Sequence, residues 1–136
     1  MRILGFSQMW PKLAQETFTT FRFARKDRDW EVGEIVQVVL HPRRKGGGEA
    51  LGVAEIVGKE PRRIPWRGQC GFEAAEVTNA EANADGFPDG MEKVCGRLVP
   101  QAGYFRMWEF LFKAYGPARL FAEPVNKLTL TWRERA

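Results

Sequence analysis

The chain of 136 residues has room for one domain with one continuous core, and its 44% apolar and 28% charged residues are ordinary for a globular protein. No run approaches the roughly 20 apolar residues of a membrane span. Ser7, Gln8, Pro11 and Lys12 break the N-terminal apolar stretch too early for a secretory signal, so a cytoplasmic protein with no membrane partner is expected.

In chain order, residues 3–9 read as a first strand, and Pro11 at a first helical position opens one or two helical turns through Lys12 and Leu13. Thr17 to Phe23 is almost wholly β-branched or aromatic, which predicts a strand. A charged loop from Ala24 to Asp29 leads to Trp30 and then to the strand Ile35–Leu40, apolar on both faces. Arg43-Arg44-Lys45 followed by Gly46-Gly47-Gly48 is a turn. It is not a phosphate loop of the Walker type, because Glu49 and a strand follow where Gly-Lys-Ser/Thr and a helix would be needed. Leu51 to Gly58 is that strand, antiparallel to 35–40, and Pro61 to Gly68 is a rigid basic connector. Thr78-Asn79-Ala80-Glu81 is a capping box opening a helix that Gly86 ends. A second helix is expected within 88–99 and a third from about Tyr104 to Tyr115, stopped by Gly116-Pro117. On the third, Tyr104, Met107, Trp108, Leu111 and Tyr115 share one side, a core stripe. Lys127 to Trp132 alternates as a half-exposed final strand. The order implies a single α+β domain over residues 1–136, a small partly closed β-barrel with helices packed at one end.

The charge pattern points toward a polyanion. Residues 1–67 hold 13 Lys/Arg against 8 Asp/Glu, whereas residues 68–136 hold 8 against 9. The basic excess gathers at Arg22 to Lys26, at Arg43, Arg44 and Lys45, and at Arg62 and Arg63. Such clusters suit a phosphate backbone, because each neutralised phosphate releases counterions. Cys70 and Cys95 are far apart and belong to no CxxC pair, and His41 is the only histidine. That set is too small for a zinc site, so no metal and no cofactor are expected and the cysteines read as two buried reduced thiols.

Three segments in order resemble the ASCH family, a branch of the PUA-like fold. They are Leu13 to Arg22, similar to the family signature ending in Thr-x-Arg; Trp30 to Val38, similar to its turn into a strand; and Ala80 to Phe87, similar to its helix ending in acidic-Gly-Phe. Trp108 to Gly116 resembles the short helix that follows. Thr20, Arg22 and Asp85 fit the pattern, whereas Gln15, Thr17 and Phe18 stand where the signature has Gly, Lys and Thr. About fifteen residues, 88–103, are extra against usual loop lengths.

The resemblance implies a PUA-like barrel that binds RNA or a modified nucleoside. Some members of the family hydrolyse the amide of N4-acetylcytidine with a Lys, a Thr and a carboxylate, and others are ribonucleases, so a hydrolase is the alternative. In that alternative Thr20 is the nucleophile and Asp85 the proton carrier. The activating Lys is missing at Thr17, and Lys12 is the nearest candidate to replace it. For binding, period 2 sets Phe18, Thr20 and Arg22 on one face of the strand, with Thr19, Phe21 and Phe23 on the core face. An aromatic plane, a hydroxyl and a guanidinium together suit a base and a phosphate, and Trp66 is a further stacking residue. The expected cleft lies between residues 17–23 and the helix ending at Asp85, with Arg43, Arg44, Lys45, Arg62 and Arg63 on the nucleic-acid backbone. The extra segment 88–103 is the place for an exposed apolar patch, should the protein be an interaction adaptor. Oligomeric state is left open.

Overall fold

A computed structural model describes residues 1–64 and 73–136. Trp66 and Cys70 therefore lie outside the described residues. The chain is α+β, with a curled sheet and few helices. It divides into two compact units: Met1–Thr20, Ala24–Glu60 and Lys127–Ala136 form unit 1, and Phe21–Phe23 with Pro61–Asn126 form unit 2. Among the described residues no helix is long and apolar enough to cross a membrane.

Unit 1 holds β1 (Arg2–Phe6), a 3-10 turn at Pro11–Ala14, β3 (Ile35–Leu40) and the greater part of β2 (Thr17–Arg22), β4 (Glu49–Arg63) and β8 (Val125–Arg135), whose residues 21–22, 61–63 and 125–126 fall in unit 2. The strand order is β1-β3-β4-β8-β2. β1 runs parallel to β3, with Leu4 opposite Val38, and β3 is antiparallel to β4, with Val36 opposite Ala54. The expected hairpin of 35–40 with 51–58 is thus present. Its register slips between Val38 and Val39, where a bulge adjusts the pairing. Leu4, Phe6, Leu13, Phe18, Trp30, Val36, Val38, Ala54, Ile56, Leu128 and Leu130 form the apolar core, and burial of such side chains contributes roughly 1.5–3 kcal/mol each. Trp132 closes this core, its indole N–H donating to the Leu13 carbonyl at 3.1 Å.

Unit 2 carries β5 (Ala75–Glu76), α1 (Asn79–Asp85), β6 (Gly90–Val94), β7 (Arg97–Gln101), α2 (Gly103–Tyr115) and α3 (Pro117–Ala122). The capping box forms as its sequence implies. The Glu81 N–H donates to Thr78 Oγ1 at 3.1 Å, and the Thr78 N–H donates to the Glu81 carboxylate at 3.0 Å. Gly86 ends α1 in the left-handed region, at φ 119°. α2 has Ala102 at its cap, which offers no side-chain acceptor. Asp89 supplies one from outside the helix, accepting the Gly103 N–H at 2.8 Å and the Asn79 amide at 3.0 Å. Those hydrogen bonds, the Gly103 N–H foremost, hold the Asp89 carboxyl below the usual range. A side chain at position 103 would collide with the Phe87 carbonyl, so only glycine lets α2 start there.

Two expectations change. The segment 88–99 is not a helix but one arm and the tip of the β6–β7 hairpin, closed by Cys95 at φ 51° and Gly96 at φ 79°. Positive φ at both turn residues is the two-residue hairpin geometry, and Gly96 is its signal in the sequence. Cys95 is exposed at that tip rather than buried. The third expected helix does end at Tyr115, with Gly116 as its cap, and Pro117 does more than stop it. It starts α3, where its missing N–H costs nothing.

Candidate functional site

Arg22 is the last residue of β2 and is half-buried, and Asp85 is the last residue of α1 and is buried. Both belong to unit 2. Burial lowers the pKa of the Arg22 guanidinium, and the Tyr115 phenol and the Asp85 carboxylate act on it in the opposite direction. An acidic residue at the C-terminal end of a helix meets the negative end of the helix dipole. Asp85 is therefore not placed to help α1, and its charge acts favourably on the Arg22 guanidinium.

Tyr115, which ends α2, stands in the sequence only as the last member of a core stripe. Its ring meets Phe23 edge-on at 4.8 Å between centroids. The Arg119 guanidinium lies 4.6 Å from the Phe23 ring centre and 5.6 Å from that of Tyr115, and Glu123 accepts from Arg119 at 3.1 Å. This ladder fixes the Tyr115 ring at the end of α2. The rest of the stripe holds, with Met107 and Leu111 buried. Near its start, the Tyr104 hydroxyl is buried with no hydrogen-bond partner among the described residues, and burial first, then Glu76, pushes its pKa up to about 12.

The other strand candidates belong to unit 1. Phe18 is only 3% exposed and packs at 6.2 Å from Phe6 and 5.4 Å from Trp132, so it is a core residue and presents no free plane for stacking. Period 2 does not separate a core face from a ligand face here, because β2 buries side chains on both, with Phe18 and Thr20 on one side and Phe21 and Phe23 on the other. Lys12 and Thr20 are both buried polar residues, and the Lys12 ammonium lies 5.6 Å from the Phe6 ring centre and 5.7 Å from that of Trp10.

The basic residues divide by role. Arg43, Arg44 and Lys45 are exposed on a turn closed by the Arg44 N–H to His41 carbonyl bond at 3.1 Å and the Gly47 N–H to Arg44 carbonyl bond at 2.9 Å. Arg62 and Arg63 are not connector residues; they end β4. The Arg62 Nε–H reaches both oxygens of Glu81 at 3.2 Å, and Arg63 pairs with Glu76 at 2.7 Å while donating to the Ala74 carbonyl at 3.1 Å. Their charges are matched inside unit 2, which leaves 43–45 as the exposed run among the five residues expected on a nucleic-acid backbone.

No protein-family model matches the chain, and no curated protein or solved structure gives a significant match.

Proposed function

We propose that the protein binds RNA or a modified nucleoside on a PUA-like barrel of the ASCH type. Arg22, with Asp85, is the recognition group, and Arg43, Arg44 and Lys45 meet phosphate. The observation that carries this reading is a half-buried guanidinium set beside a buried carboxylate at the end of a helix. Perturbed charges of this kind concentrate where ligands are recognised, and guanidinium and carboxylate together match the acceptor and donor edge of a base. The resemblance of Thr20, Arg22 and Asp85 to the ASCH pattern supports the same assignment.

Binding of the purified protein to RNA, DNA and modified nucleosides at two salt concentrations tests the reading, and absence of binding to all of them ends it. Replacing Arg43, Arg44 and Lys45 together by alanine is expected to weaken RNA binding alike for all sequences. It should also reduce the slope of log K against log salt by about 0.7 for each phosphate of a single strand that is no longer neutralised. An unchanged slope takes this turn out of the interface.

A hydrolytic reading has one observation in its favour, the burial of the Lys12 amine and the Thr20 hydroxyl in the same unit. If Lys12 supplies the base missing at Thr17, the wild type releases acetate from N4-acetylcytidine. Thr20→Ala then abolishes release, and Lys12→Met lowers it by at least ~10²-fold. A wild type that releases none above the buffer rate leaves binding as the only activity.

A further inference from the structure

The β6–β7 hairpin is a two-stranded sheet by itself among the described residues. Two strands alone are marginal in water unless a helix or a further strand supports them. Its register pairs Gly90 with Gln101, Met91 with Pro100, Glu92 with Val99, Lys93 with Leu98 and Val94 with Arg97. In a hairpin closed by a two-residue turn, the pair next to the turn is hydrogen-bonded and the pairs alternate from there. The backbone groups of Val94, Glu92 and Gly90 therefore point inward, and those of Met91, Lys93, Leu98 and Pro100 point outward. On β7 the outward row contains Pro100, which has no N–H, so that edge offers a single donor, from Leu98. On β6 the outward row is complete at Met91 and Lys93, and both residues are exposed.

The same alternation decides the faces. Met91, Lys93, Leu98 and Pro100 share one face and are all exposed, Met91 at 54% and Leu98 at 67%. The opposite face carries Gly90 and Gln101, and Arg106 of α2 lies against both, donating to the Gln101 side chain at 3.3 Å. The uncovered face is thus apolar except for Lys93. From residue 93 to residue 100 the hairpin holds Lys93 and Arg97 and no acid, and Glu92 accepts the Gln101 amide at 3.2 Å.

We infer that β6 is a docking edge that takes an extended acidic and apolar segment of another protein as a third strand. A second copy of this chain does not fit. Two-fold antiparallel pairing of β6 with itself keeps each residue on its own face. Centred on Glu92 it opposes two glutamates, and centred on Lys93 it opposes two lysines, both destabilising at cross-strand distance. Centred on Met91 it pairs only residues 90–92 of β6 and sets Lys93 against Asp89, which lies outside the strand and already accepts from the Gly103 N–H and the Asn79 amide. A heterologous strand with an apolar residue opposite Met91 and an acid opposite Lys93, two positions apart on one face, satisfies the edge, the face and the charge together.

The test uses the isotope-labelled full chain in reducing buffer, so that the exposed Cys95 thiol does not couple. The probe is a capped synthetic peptide repeating Thr-Val-Thr-Glu twice, compared with the same peptide carrying Lys for Glu. The acidic peptide is expected to shift the amide signals of Met91 and Lys93 and to protect them from exchange. The basic peptide should bind about fivefold more weakly, the equivalent of one cross-strand charge pair. Lys93→Glu should reverse the preference. Met91→Pro removes an outward N–H without touching the ladder to β7, and should abolish binding while the other hairpin signals stay in place. No shift at millimolar peptide, shifts confined to other parts of the chain, equal affinity for both peptides, or self-association through β6 in sedimentation would each overturn the inference.

Discussion

Glu34→Ala is expected to lower the unfolding free energy by about 3 kcal/mol at neutral pH, because it strands a buried guanidinium. Arg2 and Glu34 have side chains only 9% and 8% exposed. Arg2 donates to both Glu34 oxygens, at 2.6 and 2.5 Å, and to the carbonyls of Arg28 at 2.8 Å and Asp29 at 2.9 Å. Its guanidinium lies 4.4 Å from the Trp30 ring centre. With Asp27 accepting a fifth bond at 3.5 Å, every donor direction of the fork has an acceptor, and removal of Glu34 empties two of them at once. The arrangement ties β1 to the loop before β3, so the loss falls on the element that begins the sheet. Its pH dependence has a definite sign. The Arg2 hydrogen bond holds the Glu34 carboxyl below its ordinary value of 4.5. The stabilisation is therefore fully present above that ordinary value and disappears as pH falls through the lower folded-state pKa. Urea unfolding of wild type and variant at neutral pH and in acid checks both statements. A gap that is under about 1 kcal/mol at neutral pH, or that stays constant into acid, would mean that the pair behaves as an exposed surface bridge.

What is legible in the sequence is mostly local. Thr78 and Glu81 announce α1 because a capping box involves only four consecutive residues. The strands at 17–22 and 35–40 follow from β-branched and aromatic runs, and the antiparallel pairing of 35–40 follows from the glycine turn after it. The hairpin at 90–101 is masked because Met91, Glu92 and Lys93 are good helix formers, and Gly96 is the one local signal of a turn whose geometry the structure shows at Cys95-Gly96. Local propensity there yields to the pairing with β7.

The site is half legible for the same reason. Arg22 and Asp85 lie 63 positions apart, yet both stand out in the sequence, and the carboxylate acts on the guanidinium within unit 2. Phe18 escapes a parity reading because parity assumes one buried face, whereas β2 is buried on both. Tyr115 reads as packing in the sequence and packs in the structure, where its ring meets Phe23 and the Arg119 guanidinium. Arg62 and Arg63 look like a basic patch because Glu76 and Glu81 are brought to them only by the fold.

The pair Arg22 and Asp85 allows structure and recognition to be separated by a double-mutant cycle. Asp85→Ala is expected to cost about 3 kcal/mol, because the guanidinium loses its buried counter-charge. The double replacement Arg22→Met with Asp85→Leu removes both charges and keeps much of the volume. Its stability should return to within about 1 kcal/mol of wild type, since hydrophobic replacement of a buried pair is often neutral or stabilising. If the pair serves recognition, this restored protein still fails to bind RNA or nucleoside, with affinity at least tenfold below wild type, the cost of one bidentate base contact of about 1.4 kcal/mol. Stability is read by urea unfolding and affinity by calorimetry on the same preparations. A double variant that is as stable as wild type and binds as well would make Arg22 and Asp85 a purely structural bridge. The proposed recognition would then have to rest on Arg43, Arg44 and Lys45, a run that neutralises phosphate but reads no base.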